Sequence, residues 1–306
     1  MDEFGIIRRY FTRASGAAGV VVGIGDDGAL VEPTPGLQQV QVIDTLGEGV
    51  HFPSHMPAAD VGYRAVAVNL SDIASMGARP RWMTLALTLR DKDESWVEAF
   101  ASGLFDAAGE YDVALIGGDT TRGDAVVVSV HISGEVAAHD VLLRSGARAG
   151  DTIYVTGTLG DAGAGLSLFE AGTPDEYLVG RFLRPSARVH EGLLLAGHAR
   201  AAIDLSDGFV GDLRKMLDAS GVGAEIDVGK LPLSDALCAR FPDEEAIAFA
   251  LSGGDDYELC FTALPDDVAD VEGITAVGVI TDGPDLVCRR DGSVVAVDES
   301  GYRHFQ

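Results

Sequence analysis

Carboxylates recur inside glycine-rich turns along this chain: Gly25-Asp26-Asp27-Gly28, Asp44-Thr45, Ser71-Asp72, Gly117-Gly118-Asp119-Thr120, Asp204-Leu205-Ser206-Asp207-Gly208 and Gly253-Gly254-Asp255-Asp256. A carboxylate is a hard oxygen donor, and Mg²⁺ is usually held by one or two of them together with water and substrate phosphate oxygens. Turns of this kind therefore point to magnesium-assisted polyphosphate chemistry. Asp72 is the most telling member. On a helix it shares a face with Ala65, Val68, Ser75 and Met76, where an uncompensated carboxylate is costly to bury. A metal ion or a salt bridge to Arg64 or Arg79 would compensate it. Asp26 and Asp27, taken alone, suit an ordinary turn. It is the repetition at Asp44 and Asp119 that suggests convergence on one cleft.

Neighbouring groups fit the same chemistry. Thr120, Thr121 and Arg122 add hydroxyls and a guanidinium beside Asp119, and Arg144, before Ser145-Gly146, is the favoured phosphate contact. His51, seven residues after Asp44, suits either a substrate contact or a structural histidine. Gly229-Lys230 runs into Leu231, so there is no Walker loop, and no protein-kinase catalytic loop is present.

Composition narrows the partners. The 48 acidic against 22 basic residues give a formal charge of −26, which argues against nucleic acid or an anionic membrane, since both need a basic footprint. An anionic substrate then needs bound cations to reverse the local field. The run Pro242-Asp243-Glu244-Glu245 reads as solvated surface. Cys238, Cys260 and Cys288 fit neither a disulfide framework nor a zinc site. The acidic start, Met1-Asp2-Glu3-Phe4, lacks the apolar run of a signal peptide and no segment is apolar for long enough to cross a bilayer, so a cytoplasmic location is expected.

The elements that must position these groups follow from periodicity. Residues 6–11, 62–77 and 93–109 read as helices, the last with Trp96, Phe100 and Leu104 at core spacing. Residues 39–43 read as a strand that delivers Asp44 to its end, and residues 82–89, 113–116, 125–133 and 152–156 as further strands. The glycine run from Gly157 to Gly165 lacks the dinucleotide-binding spacing and predicts close helix packing. With 306 residues, two domains of about 150 residues are favoured over one. The polar stretch 137–151 places the boundary near residue 140, giving domains 1–140 and 141–306.

Together, Gly23-Ile24-Gly25-Asp26-Asp27, the run from Asp44 to Phe52, the run from Ala67 to Ala78 and Gly117-Gly118-Asp119-Thr120-Thr121-Arg122-Gly123 closely resemble the thiamine-monophosphate kinase family. The resemblance continues through Val155-Thr156-Gly157-Thr158-Leu159-Gly160-Asp161, Arg184-Pro185-Ser186, Ile203-Asp204-Leu205-Ser206-Asp207-Gly208, Ser252-Gly253-Gly254-Asp255-Asp256-Tyr257-Glu258-Leu259 and Gly301-Tyr302-Arg303-His304-Phe305. It implies a two-domain aminoimidazole ribonucleotide synthetase-like (PurM-like) fold. An N-terminal α/β domain binds ATP and Mg²⁺ and dimerises through its sheet, with ATP near the dimer interface, and a C-terminal α+β domain follows. It also implies γ-phosphoryl transfer from ATP to thiamine monophosphate without a phosphoenzyme, by a cytoplasmic homodimer.

By motif position the resemblance puts magnesium ligands at Asp27, Asp44, Asp72, Asp119, Asp204 and Asp207, with Asp72, Asp119 and Asp207 central to catalysis. It puts ATP contacts at Gly118, Asp119, Arg144 and Ser206, and thiamine-substrate contacts at His51, Asp255 and Tyr302. Three positions depart from the family pattern: Val42 and Ile43 stand where hydroxylic residues are usual, and Asp255 where glutamate is. The alternatives are another ATP-using enzyme of the same superfold and a non-catalytic metal-binding scaffold. The lack of a Cys or Lys nucleophile near the N-terminus argues against a selenophosphate synthetase.

Overall fold

The computed structural model describes residues 3–12, 17–90 and 93–297. The chain divides into two units. One takes the sequence up to Ile73 together with Ala78–Ala138, the other Ala74–Gly77 and the sequence from His139 onward.

In the first unit α1 (Glu3–Ile6) passes into a π-helical turn, Ile7–Phe11, where the sequence predicts a plain helix. The short antiparallel strands β1 (Val20–Val22) and β2 (Leu30–Val31) follow, and the loop between them carries Asp26 and Asp27. Then come β3 (Gln38–Gly47), α2 (Ala58–Ser75), β4 (Arg79–Leu89), α3 (Glu94–Glu110), β5 (Ala114–Arg122) and β6 (Val127–Val136). The four long strands form one sheet in the order β3-β6-β4-β5. β4 and β5 are parallel, joined by the α3 crossover, and the other pairs are antiparallel.

Side chains alternate across this sheet with a period of two. Val128, Val130 and Ile132 are buried, while Ser129, His131 and Ser133 between them are only half-buried. The dry face packs on α2, and a Cβ on Gly134 would already stand 3.0 Å from Ile73 Cδ1. α2 and α3 meet through glycines: a Cβ on Gly103 would lie 1.7 Å from the Ala59 carbonyl oxygen. The other face carries hydrogen-bonded polar pairs, Thr45 with Ser129 and Gln41 with both His131 and Ser133, and Ile43 is 65% exposed there.

Both β3 and β5 run further than their apolar stretches predict, so Asp44 and Asp119 lie within strands rather than beyond strand ends. The physical reason is that ladder pairing is a backbone property: β3 stays in register with β6 to Gly47, and β5 with β4 to Arg122.

The second unit contains β7 (Thr152–Thr156), α4 (Asp161–Glu170), α5 (Glu176–Leu183), α6 (Val189–Leu195), β8 (Ala201–Asp204), α7 (Phe209–Ser220), β9 (Gly223–Asp227), α8 (Asp235–Arg240), α9 (Asp243–Ser252), β10 (Leu259–Ala263), β11 (Ile274–Thr281), β12 (Leu286–Arg290) and β13 (Ser293–Val295). Its sheet runs β13-β12-β9-β11-β7-β10-β8. Ile153, Val155, Ile203, Leu213, Ile226 and Val277 are among the buried residues of its core. The glycine run does what its spacing predicts. A Cβ on Gly160 would stand 2.6 Å from the Ala250 amide, and one on Gly165 2.0 Å from the Leu178 carbonyl oxygen, so α4 lies against α9 and α5.

Candidate active site

A cavity of about 670 Å³ in the first unit is bounded by the N-terminal helical turn, the loop between β1 and β2, and β5. Asp27 and Asp119 both line it, and both are exposed. Asp26 accepts a hydrogen bond from the Asp27 amide at 2.8 Å, which ties it to holding the turn. On β5 the register slips between Leu115 and Gly117, leaving Ile116 as an extra residue opposite β4. Such a bulge bends the strand and re-aims the residues after it. Gly118 follows at φ +155, and a Cβ there would lie 1.9 Å from the Leu85 carbonyl oxygen. Glycine is therefore required at this point for the close approach to β4, and Gly117 and Gly118 line the cavity beside Asp119.

Asp44 and Asp72 lie elsewhere in the same unit. The Asp44 amide donates to Asn69 Oδ1 at 3.0 Å, and Asn69 Nδ2 donates to the Ala65 carbonyl oxygen at 3.0 Å. Asn69 thus pins β3 to α2. Asp72 stands three residues further along the same helix face, half-buried. Asp44 is in register with Val130, Val130 with Leu85, and Leu85 with Gly118. Three strand spacings separate Asp44 from Gly118, about 14 Å. The four aspartates therefore form two pairs at opposite edges of the sheet rather than one tight cluster. Among the described residues no three His, Cys, Asp or Glu side chains are grouped to hold a metal ion. His51 Nδ1 accepts from the Gly47 amide at 3.0 Å, a turn-closing bond that leaves the neutral ring's proton on Nε2. Val42 is half-buried, and Ile43 is on the open sheet face.

In the second unit two motifs are zipped together. The Asp255 amide donates to the Ser206 carbonyl oxygen at 2.9 Å and the Tyr257 amide to that of Leu205 at 2.8 Å. Asp255 and Tyr257 both adopt positive φ, +72 and +52, a conformation that non-glycine residues keep only where surrounding structure over-determines it. Asp204, at the end of β8, is buried. The Asp207 carboxylate accepts from Lys215 Nζ at 2.5 Å. Lys215 also reaches Asp212 Oδ1 at 2.7 Å, while Asp212 Oδ2 accepts the amides of Ser206 and Asp207. Burial pushes the Asp212 carboxyl up, against Lys215 and those amide donors. Burial opposes the charge on Lys215, but its two carboxylate partners outweigh it and raise its pKa. Arg144 is exposed. Tyr302 lies outside the described residues.

Several groups that hold this unit's motifs carried no role in the sequence reading. Glu258 is fully buried and accepts from Arg181 Nη2 at 2.7 Å, Arg188 Nε and Nη2 at 2.6 Å each, and Thr156 Oγ1 at 2.6 Å. Gly157 lets the backbone pass this cluster, since a Cβ there would lie 2.4 Å from Glu258 Oε1. Asp256 accepts the amides of Gly160 and Ala162 at the start of α4, and burial pushes its carboxyl up to about 8 against those donors and Arg181. The Glu258 partners were out of reach of any local signal, being 70 to 102 residues away in sequence.

Residues 25–136 match the model of the AIR synthase related protein N-terminal domain, and residues 148–290 that of the C-terminal domain. Thiamine-monophosphate kinase of Escherichia coli strain K12 is 48% identical over 320 residues, covering 99% of this chain and 98% of the relative. The chain belongs to the thiamine-monophosphate kinase family. The crystal structure of the Stenotrophomonas maltophilia K279a member superposes with a TM-score of 0.88 at 43% identity, over 96% of this chain and 98% of that one. AaThiL complexed with AMPPCP and TMP superposes with a TM-score of 0.82 at 36% identity, over 92% of each chain. The two-domain aminoimidazole ribonucleotide synthetase-like fold of the family is thus the fold of this chain.

Proposed function

We infer that this protein transfers the γ-phosphoryl group of ATP directly, in line, to the phosphate of thiamine monophosphate, giving thiamine diphosphate and ADP. The observation that carries this reading is the full-length similarity to a relative complexed with AMPPCP, an ATP analogue, and TMP. The cavity that sets Asp27 and Asp119 beside Gly117 and Gly118 of β5 supports it.

The donor set fits Mg²⁺, which is bound by a few carboxylates with phosphate and water completing the shell and so needs no preformed protein cage. Asp27, Asp44, Asp72 and Asp119 would hold it in the N-terminal domain, residues 1–140, and Asp204 and Asp207 in the C-terminal domain, residues 141–306. When bound, Mg²⁺ neutralises the repulsion between donor and acceptor phosphates. Asp72, Asp119 and Asp207 are the carboxylates on which rate depends. For Asp207 this requires release from Lys215. The Gly118 backbone, Asp119, Arg144 and Ser206 hold ATP, while His51, Asp255 and Tyr302 orient the thiamine substrate, Tyr302 by offering an aromatic face to a cationic ring. No general base is needed, because a phosphate monoester is largely ionised at neutral pH, its second pKa being about 6.

The working form is a homodimer closed through the open face of the four-stranded sheet. That face is uncovered by α2 and α3, presents Ile43, and ends in the edge strands β3 and β5. A two-fold partner that seals these edges removes them as aggregation templates. It also brings the Asp44 and Asp72 edge of one protomer to the Asp119 edge of the other, an approach that the about 14 Å across one sheet denies within a protomer. ATP then lies near the interface. Among the described residues no helix is long and apolar enough to cross a membrane, and a cytoplasmic enzyme draws directly on the ATP pool.

The test is ADP formation by the purified protein with ATP and Mg²⁺, with and without thiamine monophosphate. ADP and thiamine diphosphate are expected to appear together only when the vitamin ester is present. ADP release indifferent to it, or none at all, overturns the assignment.

A further inference from the structure

The cavity of the first unit has two chemically different ends. One is polar, with Asp27, Asp119 and the backbone around Gly118. The other is the N-terminal helical turn, which contributes the apolar Phe4, Ile7 and Phe11 together with Arg8 and Thr12. Phe11 is an anchor: it is 4% exposed and meets the Phe100 ring of α3 edge-on, with centroids 6.3 Å apart. Arg9 adds a second tie to α3 through Glu94 at 3.3 Å. The turn is therefore tied to α3 through Phe11 and Arg9. Phe4 differs from Phe11, since it borders the cavity yet is 63% exposed. The turn is also π-helical over Ile7–Phe11, a geometry that is rare and recurs at functional sites. At about 670 Å³ the cavity falls within the range that encloses a ligand of nucleotide size, which binds largely through apolar and aromatic walls with a few placed polar groups.

We propose that Phe4 and Ile7 form the wall on which the purine base of ATP stacks, while the triphosphate extends to the Asp27 and Asp119 end of the same cavity. This assignment rests on the kinase reading, and it names residues for the part of the nucleotide that the carboxylates do not touch. Every base offers a π face, so an aromatic wall supplies affinity without demanding a hydrogen-bond pattern. The exposed Phe4 ring is then the binding surface itself, and the stretch from Phe4 to Phe11 divides its work between gripping α3 and facing the nucleotide.

The test is calorimetric titration of the parent, Phe4→Ala, Phe4→Trp and Val21→Ala with Mg-ATP and with Mg-tripolyphosphate, which has the phosphates and no base. Val21 is comparably exposed, at 58%, and does not line the cavity. Phe4→Ala is expected to weaken ATP binding about tenfold while tripolyphosphate binds as before, and Phe4→Trp and Val21→Ala are expected to bind ATP like the parent. Parent-like ATP affinity in Phe4→Ala overturns the proposal. So does an equal loss for both ligands, a matching loss in Val21→Ala, or failure of Phe4→Trp to hold ATP. Titration needs no thiamine monophosphate. Phe4-dependent ATP binding by a protein that makes no thiamine diphosphate therefore refutes the kinase reading alone, and thiamine diphosphate synthesis indifferent to Phe4 refutes the stacking wall alone.

Discussion

Gly118→Ala is the sharpest test of how β5 presents Asp119. The added Cβ would lie 1.9 Å from the Leu85 carbonyl oxygen and 3.0 Å from the Leu85 amide nitrogen, so the contact must open by about 1 Å to reach even a tight separation. The backbone also stands at φ +155, which costs a non-glycine residue about 1–3 kcal/mol. Moving the strand weakens neighbouring β4–β5 hydrogen bonds at about 1 kcal/mol each. The expected loss is about 3 kcal/mol of stability, read from urea unfolding, and about a hundredfold in kcat/KM, the penalty that a 1 Å misplacement of reacting groups can carry. Gly117→Ala is the matched control. Its Cβ would find nothing nearer than Thr84 Cγ2 at 3.9 Å, so it is expected to keep its stability within about 1 kcal/mol and most of its activity. If Gly118→Ala works within a few-fold of the parent, or if both alanines fall together, the close approach at Leu85 is not what positions Asp119.

Three further outcomes are expected. Asp44→Asn and Asp119→Asn should each fold and be nearly inactive as homodimers, whereas unfolding and refolding them as a mixture should restore activity, because one site of each mixed dimer keeps both carboxylates. A dead mixture that sizing shows to contain mixed dimers refutes a site shared across protomers. Glu258→Gln strips the charge partner from Arg181 and Arg188 at a fully buried position and should cost about 3–5 kcal/mol in denaturant unfolding; a change below about 1 kcal/mol contradicts that role. Asp256 should show in the pH dependence of stability. Burial raises its folded pKa to about 8 from 3.8, so its contribution to folding is largest at acid pH and declines as the pH rises through that window. Asp256→Asn does not titrate, so its stability relative to the parent should improve between pH 5 and pH 8 by at most about 1.4 kcal/mol per unit, and a flat difference would exclude a raised carboxyl.

The residue types at the proposed site could be named from the sequence because chemistry restricts them: an aspartate in a glycine turn offers hard oxygen donors wherever the turn ends up. Their grouping was not legible. Convergence of Asp27, Asp44, Asp72 and Asp119 on one cleft is the natural expectation when strand order is unknown, and only the order β3-β6-β4-β5 separates Asp44 from Asp119 by the width of the sheet. The N-terminal turn is the opposite case. Its sequence reads as an ordinary short helix, and nothing local says that Phe11 faces α3 while Phe4 borders a cavity.

The acidic excess itself sorts into two populations once partners are visible, and the sorting bears on which turns bind cations. In the second unit three buried carboxylates have ion-pair partners in the protein: Glu258 has Arg181 and Arg188, Asp151 has Arg200, and Asp212 has Lys215, which Asp207 shares. These pairs compensate desolvation and would stay in place in a protein with no substrate. Asp27 and Asp119 are exposed on one cavity and take part in no ion pair among the described residues. The lining of that cavity sets Asp26, Asp27 and Asp119 against one described cation, Arg8, a net negative field that repels a triphosphate and attracts a divalent ion first. Metal-dependent nucleotide binding is the outcome expected from that charge distribution, and Asp207, held by Lys215 at 2.5 Å, should contribute less to divalent affinity than Asp27 or Asp119 when each is changed to asparagine and Mn²⁺ binding is titrated. An equal or larger loss at Asp207 would mean that the lysine yields its place at little cost.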